Sequence, residues 1–206
     1  MADGFLIENN MKRYIYTMRH GKDESVNYQN YSHPLPSVPL CEEGIEEIID
    51  CCKELSKFEF QAILHSPLVR AQQTTKVIKE TLKIDNCFCV NDLAEWRPPS
   101  SIYGVHPQGY TQEYTNWRKL RHIDFALQFE DGESLEMLFL RAKKIKNELK
   151  EYYQSFDRIL VVSHLVFMRA LYCECLSINH QNGRLYFQPD STFSWNYCET
   201  KFLELK

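Results

Sequence analysis

The sequence predicts an α/β fold: a doubly wound, mostly parallel sheet with helices on both faces. The main observation is an alternation of short apolar runs, rich in strand-forming residues, with longer segments whose apolar residues recur at helical spacing. The chain has 206 residues, and 44% of them are hydrophobic. This length and composition suit one domain over residues 1–206, with enough apolar material for a large core.

The first half of the chain predicts two strands and two helices in alternation, over residues 13–19, 42–58, 60–65 and 66–83. The first of these helices places its apolar residues on one face, namely Ile45, Ile48, Ile49 and Cys52. Ser66 is the predicted N-cap of the second helix. Pro67 is the predicted first helical residue, a position that favours proline.

The second half of the chain continues the alternation after an interruption. We expect a strand over 87–92, a long helix over 132–153, a strand over 158–164, a helix over 165–176, and one or two strands within 192–205. The segment from 96 to 131 breaks the pattern because it is irregular and rich in aromatic residues, with a helix predicted within 112–125.

Charge and hydropathy exclude two classes of partner. The formal net charge is -4, the pI is about 6.0, and no block of Lys and Arg stands out, so we expect no nucleic-acid binding. The longest apolar runs are about four residues, as at 159–162, whereas a membrane-spanning helix needs ~20. The first ten residues lack the basic and apolar regions of a secretory signal. We therefore expect a cytoplasmic protein without a membrane segment.

The eight cysteines do not follow a metal or redox spacing. Cys51 and Cys52 are adjacent, and the remaining close pairs have C-x-C spacing rather than C-x-x-C. The chain is also long for a disulfide scaffold. We expect reduced, mostly structural thiols.

Residues suited to catalysis follow the predicted strands. Arg19 and His20 end the first strand, Arg70 lies in the first turn of the helix after the second, and Glu95 and His164 follow the third and fourth. Carboxyl ends of parallel strands meet at one edge of a sheet, so we expect these side chains to share one crevice. Two guanidinium groups, two imidazoles and the positive end of the helix near Ser66 suit a phosphate dianion.

Such a crevice also supplies a reaction. A neutral imidazole can attack phosphorus and form a phosphohistidine, while nearby arginines disfavour the imidazolium and stabilise the charge in transit. A carboxylic acid can then give a proton to the leaving alkoxide and accept one from the incoming water.

Six segments in order make the sequence resemble the histidine phosphatase superfamily, branch 1, the phosphoglycerate-mutase-like proteins. These segments are RHG at 19–21, PLCEEG at 39–44, HSPLVRAQQTT at 65–75, LAE at 93–95, DGES at 131–134 and VVSH at 161–164. The resemblance covers roughly residues 12–175. It implies that His20 is the nucleophile and Glu95 the proton donor. It also implies that Arg19, Arg70 and His164 bind the phosphoryl group, and that neither a metal nor a cofactor is needed.

The sequence departs from the family pattern at several positions. Lys22 stands where the family often has Glu, and Val26 where it often has Asn, with Asn27 one place later. Leu165 replaces a common Gly after the second histidine, and His65 replaces a small Ser. His65 would line the crevice or lie buried behind it.

The resemblance also implies that residues 96–131 form a lid insertion, and we expect specificity from this lid and from nearby basic groups. Lids shape the part of a substrate that does not react. Lys22 and Arg97 are candidates for binding an additional anionic group of the substrate. The expected partner is a small phosphorylated metabolite, with a phosphoprotein as the alternative, and the sequence does not indicate an oligomeric state.

Three alternatives to a phosphomonoester hydrolase stay open. The first is a phosphoglycerate-type mutase, although the altered loop after the RHG motif disfavours it. The second is a catalytically inactive module that binds a phosphorylated ligand on the same fold. The third is a metal-dependent hydrolase that uses His20, Glu95 and His164, which the repulsion between a cation and two arginines disfavours.

Overall fold

The structure, a computed structural model, describes residues 14–27, 33–177 and 194–205. The strands in this part of the chain form one five-stranded sheet in the order β3-β2-β4-β1-β5. Neighbouring strands are parallel except β5, which runs antiparallel to β1. The strands are β1 (Tyr14–Arg19), β2 (Ala62–His65), β3 (Asn86–Cys89), β4 (Arg158–Ser163) and β5 (Thr200–Leu203).

Helices connect the parallel strands. They are α1 (Glu42–Leu55), α2 (Val69–Leu82), α3 (Gln112–Leu120), α4 (Leu135–Tyr152) and α5 (Leu165–Cys175). Short 3-10 turns lie between them at Glu24–Asn27, Ser56–Phe58, Asn91–Leu93, Ser100–Ile102 and Pro107–Gly109. Within the described residues, no helix combines the length and the apolar character that crossing a bilayer requires.

Two hydrophobic cores lie on the two faces of the sheet. In β4, Ile159 and Val161 point to one core, and Leu160 and Val162 point to the other, as the two-residue repeat of a strand requires. Helices α1 and α2 cover the second core, whereas α4, α5 and residues of the 96–131 segment cover the first. The structure therefore confirms a mostly parallel sheet with helices on both faces.

Helix α2 begins later than the sequence predicts. Leu68 is its N-cap, with extended backbone, and Val69 is its first residue, so Ser66 and Pro67 precede the helix. The Ser66 hydroxyl accepts a hydrogen bond from the Leu68 N–H at 3.2 Å instead of capping the helix. The prediction failed because the Ser66 hydroxyl contacts the ring of His164, the residue before α5, at 2.7 Å.

The buried face of α1 also differs from the prediction. Ile48 and Cys52 are buried as expected, together with Gly44 and Leu55, but Ile45 and Ile49 are 39% and 46% exposed. The helix presents the narrow stripe 44, 48, 52 and 55 to the sheet, so the two isoleucines lie at its edge. At the C-terminus only β5 is a strand among residues 194–205, and residues 192–193 of the predicted segment lie outside the described residues.

All eight cysteines lie in the described residues, and each is a free thiol. Burial raises the pKa of Cys173 and Cys175 to about 12, which keeps both protonated at neutral pH.

Candidate active site

The nucleophile candidate His20 is held by backbone on both sides. Its N–H donates to the Ser163 carbonyl at 3.0 Å, one step beyond the β1–β4 ladder. Its ring Nδ1 lies 2.8 Å from the Gly21 carbonyl oxygen. A carbonyl oxygen only accepts, so Nδ1 carries the proton and Nε2 carries the lone pair. The Gly21 N–H in turn donates to Thr74 Oγ1 of α2 at 3.0 Å.

Two arginines flank this ring. Arg70 is 3% exposed, and its Nε–H donates to His20 Nε2 at 3.3 Å. Arg19 Nη1 donates to the Trp195 carbonyl at 3.0 Å, and its guanidinium lies 3.9 Å from the centre of the Tyr197 ring. The buried Nε of Arg19 has no hydrogen-bond partner among the described residues. An unpaired buried donor of this kind suits an anionic ligand.

His164 lies next to His20, with the two ring centres 4.9 Å apart. It is fully buried, and its Nε2 lies 2.7 Å from the Ser66 hydroxyl. Its buried Nδ1 finds no partner in the part of the chain that the structure describes. Two buried nitrogens near His20, Arg19 Nε and His164 Nδ1, therefore have no hydrogen-bond partner among the described residues.

Both imidazoles are held neutral. Burial lowers the pKa of His20 well below its usual value, and the positive charges of Arg70 and Arg19 lower it further. Burial also lowers the pKa of His164 well below its usual value, with contributions from His20 and the same two arginines. A neutral His20 keeps its Nε2 lone pair available at neutral pH.

The carboxylate of Glu95 is fixed by the start of α5. Its Oε1 accepts from the N–H groups of Phe167 and Trp96 at 2.9 and 2.8 Å, and its Oε2 accepts from the Val166 N–H at 3.2 Å. The first N–H groups of a helix have no partner within the helix and carry partial positive charge. Helix α5 therefore holds Glu95 in place.

A buried ion pair supports the turn that carries Glu95. Arg141 of α4 donates from Nε and Nη2 to the two carboxylate oxygens of Glu133 at 2.9 and 2.8 Å. Its Nη1 donates to the carbonyls of Asp92 and Ala94 at 2.7 and 2.6 Å. Glu133 comes from the DGES segment, and the adjacent Ser134 caps α4 by accepting the Met137 N–H at 3.2 Å.

A cavity of about 370 Å³ opens over these groups. It is lined by the predicted residues Arg19, His20, Arg70, Glu95 and Arg97. The rest of its described wall is largely apolar or aromatic and includes Pro34, Pro36, Leu68, Trp96, Pro98, Tyr103, Leu165 and Tyr197.

Three predicted residues lie elsewhere. His164 is fully buried and does not line the cavity. Lys22 points away from it, because its ammonium pairs with Glu43 and its side chain lines a separate surface groove. His65 is half-buried outside the cavity wall, with Nδ1 2.9 Å from the Ser66 carbonyl.

The structure adds residues that the sequence reasoning missed. Asp23 is 1% exposed and lines the cavity. Ser66 contacts His164, and Tyr197 packs against His20 with ring centres 5.6 Å apart. Asp23 follows the RHG segment by two residues, so its position in the sequence could have predicted that it lies near His20. Tyr197 gave no such signal, because only the fold brings it to His20.

The comparisons with known proteins agree with this geometry. A family model described as "Histidine phosphatase superfamily (branch 1)" matches residues 15–201. The chain belongs to this family. Phosphoserine phosphatase 1 of Hydrogenobacter thermophilus is 28% identical over 170 residues, covering 80% of this chain and 77% of the relative. A 2,3-bisphosphoglycerate-dependent phosphoglycerate mutase of Methanococcus vannielii is 29% identical over 102 residues, covering 48% and 43%.

Solved structures share the fold at low identity. The alpha-ribazole phosphatase of Shigella flexneri superimposes with a TM-score of 0.71 at 21% identity, covering 93% of this chain and 95% of that one. A mycobacterial glucosyl-3-phosphoglycerate phosphatase, complexed with VO3, does so with a TM-score of 0.76 at 17% identity, covering 92% and 90%. The comparisons confirm the family, the α/β fold and the enzyme class, a phosphoric monoester hydrolase, that the sequence predicts.

Proposed function

We propose that the protein hydrolyses phosphate monoesters through a phosphohistidine on His20. The observation that carries this proposal is the state of the His20 ring. Its Nδ1–H donates to the Gly21 carbonyl, and its Nε2 lone pair accepts from the Arg70 Nε–H in the cavity. A neutral imidazole with one unprotonated nitrogen beside a fixed cation suits nucleophilic attack on phosphorus.

The first step transfers the phosphoryl group to the protein. Nε2 of His20 forms a bond to phosphorus as the bond from phosphorus to the ester oxygen breaks. Arg19 and Arg70 balance the charge on the phosphoryl oxygens. Glu95, in its protonated form, gives its proton to the departing oxygen, which leaves as an alcohol. Because His164 does not line the cavity, its contact with the phosphoryl group stays a prediction, for which its buried and unpaired Nδ1 is the candidate donor.

The second step releases phosphate. The Glu95 carboxylate takes a proton from a water molecule as the water oxygen attacks phosphorus. The bond between phosphorus and Nε2 breaks, inorganic phosphate leaves, and both His20 and Glu95 return to their starting states. This sequence of steps needs no metal or cofactor.

The expected substrate is a small phosphorylated metabolite rather than a phosphoprotein. The cavity volume of about 370 Å³ supports this choice, since small-molecule sites are typically clefts of ~300–1,000 Å³. Arg97 is exposed at the wall and is the proposed contact for an anionic group of the substrate, whereas the pairing of Lys22 with Glu43 argues against that role for Lys22.

We also propose that the chain forms one catalytic domain in the cytoplasm, with residues 96–131 as a lid. Trp96, Arg97, Pro98 and Tyr103 of this segment all line the cavity, which supports its role in specificity.

The test is hydrolysis of an aryl phosphate in the presence of a chelator by wild type, His20→Ala and His65→Asn. We expect His20→Ala to lose activity by roughly 10³-fold or more, and chelation to leave the wild type active. His65→Asn is the matched control, because His65 also ends a strand but lies outside the cavity wall. Activity retained in His20→Ala would overturn the proposed nucleophile.

A mutase is the second candidate, and the Methanococcus vannielii relative is the observation in its favour. ³¹P NMR with a phosphoglycerate as substrate distinguishes hydrolysis from the mutase reaction. Release of inorganic phosphate supports hydrolysis, whereas movement of the phosphoryl group between hydroxyls would support the mutase. Phosphate binding without either reaction would support an inactive binding module.

A further inference from the structure

The loop after the nucleophile carries a buried carboxylate that the proposed mechanism does not use. The Asp23 side chain is 2% exposed and forms part of the cavity wall. Its Oδ1 accepts hydrogen bonds from the Ser25 N–H, at 3.0 Å, and from the Ser25 hydroxyl. Its Oδ2 lies 3.5 Å from Arg70 Nε and 3.9 Å from His20 Nδ1.

The charge of Asp23 matters most when His20 is phosphorylated. Nδ1 keeps its proton through its bond to the Gly21 carbonyl, so a bond from Nε2 to phosphorus makes the ring a cation. A buried cation is costly unless an opposite charge lies close to it. Arg19 and Arg70 oppose a positive ring, whereas the Asp23 carboxylate at 3.9 Å from Nδ1 stabilises it.

The same carboxylate has the opposite effect on a phosphate ion. A dianion bound beside Arg70 is repelled by Asp23, and it competes with Asp23 for the Arg70 guanidinium. Asp23 therefore favours the phosphorylated ring and disfavours free phosphate in the cavity.

We propose that Asp23 is a positioning residue that promotes phosphoryl transfer to His20 and weakens retention of the phosphate product. This inference rests on the proposed function. Its signature is a pair of changes of opposite sign, since removing the charge slows turnover while it strengthens phosphate binding.

The test compares Asp23→Asn with wild type and with Asp50→Asn. Asparagine keeps the shape and an oxygen acceptor for Ser25 but removes the charge. Asp50→Asn makes the same change in net charge on the exposed surface of α1, where the Asp50 side chain is 74% exposed. The measurements are kcat on an aryl phosphate and the Kd of inorganic phosphate by titration calorimetry.

For Asp23→Asn we expect kcat to fall by roughly tenfold or more and the phosphate Kd to fall by about threefold or more. Both values should stay near wild type in Asp50→Asn. A carboxylate that only supported the loop would, on removal, slow turnover and weaken phosphate binding together. That result, or an unchanged kcat, would overturn the proposal.

Folding of the variant is checked by circular dichroism. If Asp23→Asn does not fold, Asp23→Ser removes the charge with a smaller side chain, and the same two changes are expected. The two proposals fail separately. Absence of turnover in the wild type overturns the proposed function, whereas an active wild type whose phosphate Kd does not fall on charge removal overturns the role of Asp23.

Discussion

The ion pair between Arg141 and Glu133 should stabilise the turn that presents Glu95, and Arg141→Met tests this directly. Both side chains are largely buried, at 14% and 7% exposed. Methionine keeps much of the packing but removes the guanidinium. The carboxylate of Glu133 then keeps only the Arg97 N–H, at 3.1 Å, among its described donors.

The expected loss of stability follows from that geometry. Removing one partner of a buried ion pair costs about 3–5 kcal/mol, because the other charge stays buried and uncompensated. The carbonyls of Asp92, Ala94 and Glu95 also lose their Arg141 donors. With an m-value of about 2 kcal/mol per molar urea, the unfolding midpoint should fall by roughly 2 M. Since Glu95 loses its support, kcat should fall as well.

The assay is urea unfolding followed by tryptophan fluorescence, combined with turnover of an aryl phosphate. Lys144→Met is the matched control on the same helix, because Lys144 pairs with Asp92 but is 63% exposed. Arg141→Lys should not restore stability, since an ammonium cannot form the two-pronged bond to Glu133. A loss below about 1 kcal/mol in Arg141→Met, or equal losses in Arg141→Met and Lys144→Met, would refute this reasoning.

Two further predictions concern packing and pH. Gly44→Ala should destabilise the protein by about 2 kcal/mol and slow turnover, because its Cβ would lie 2.0 Å from the Lys22 carbonyl oxygen in the loop after His20. Gly109→Ala is the control, with its nearest contact to Val105 at 3.3 Å, and equal urea midpoints for the two variants would contradict this expectation. Burial lowers the pKa of His33 from 6.5 to about 4, so the unfolded chain binds a proton in this pH range that the folded chain does not. Stability should therefore fall as the pH drops from about 6.5 towards 4, with roughly 2 kcal/mol lost from His33 alone by pH 5. His33→Asn should flatten this dependence in urea unfolding at pH 7 and pH 5, and identical slopes would count against it.

The order of the elements and most of the site could be predicted because the relevant signals are local. Strand and helix periods show in short windows, so β1, β2, β4 and the helices were predicted close to their observed bounds. The parallel sheet then brings Arg19, His20, Arg70 and Glu95 together, because strand ends meet at one edge. The start of α2 was missed because Ser66 bonds to His164, which lies 98 residues away.

The sequence by itself determined the alternation of elements, the family and the predicted groups of the crevice, since periods and motifs each lie within short segments of the chain. Only the tertiary structure decided how those groups are prepared for reaction. The tautomer and neutrality of His20 depend on burial and on Arg70, which lies 50 residues away. The position of Glu95 depends on hydrogen bonds from α5 to its carboxylate and from Arg141 to its carbonyl, and both donors lie more than 40 residues downstream. Burial and hydrogen bonds between residues far apart in the chain set these properties, and no local sequence pattern predicts either of them.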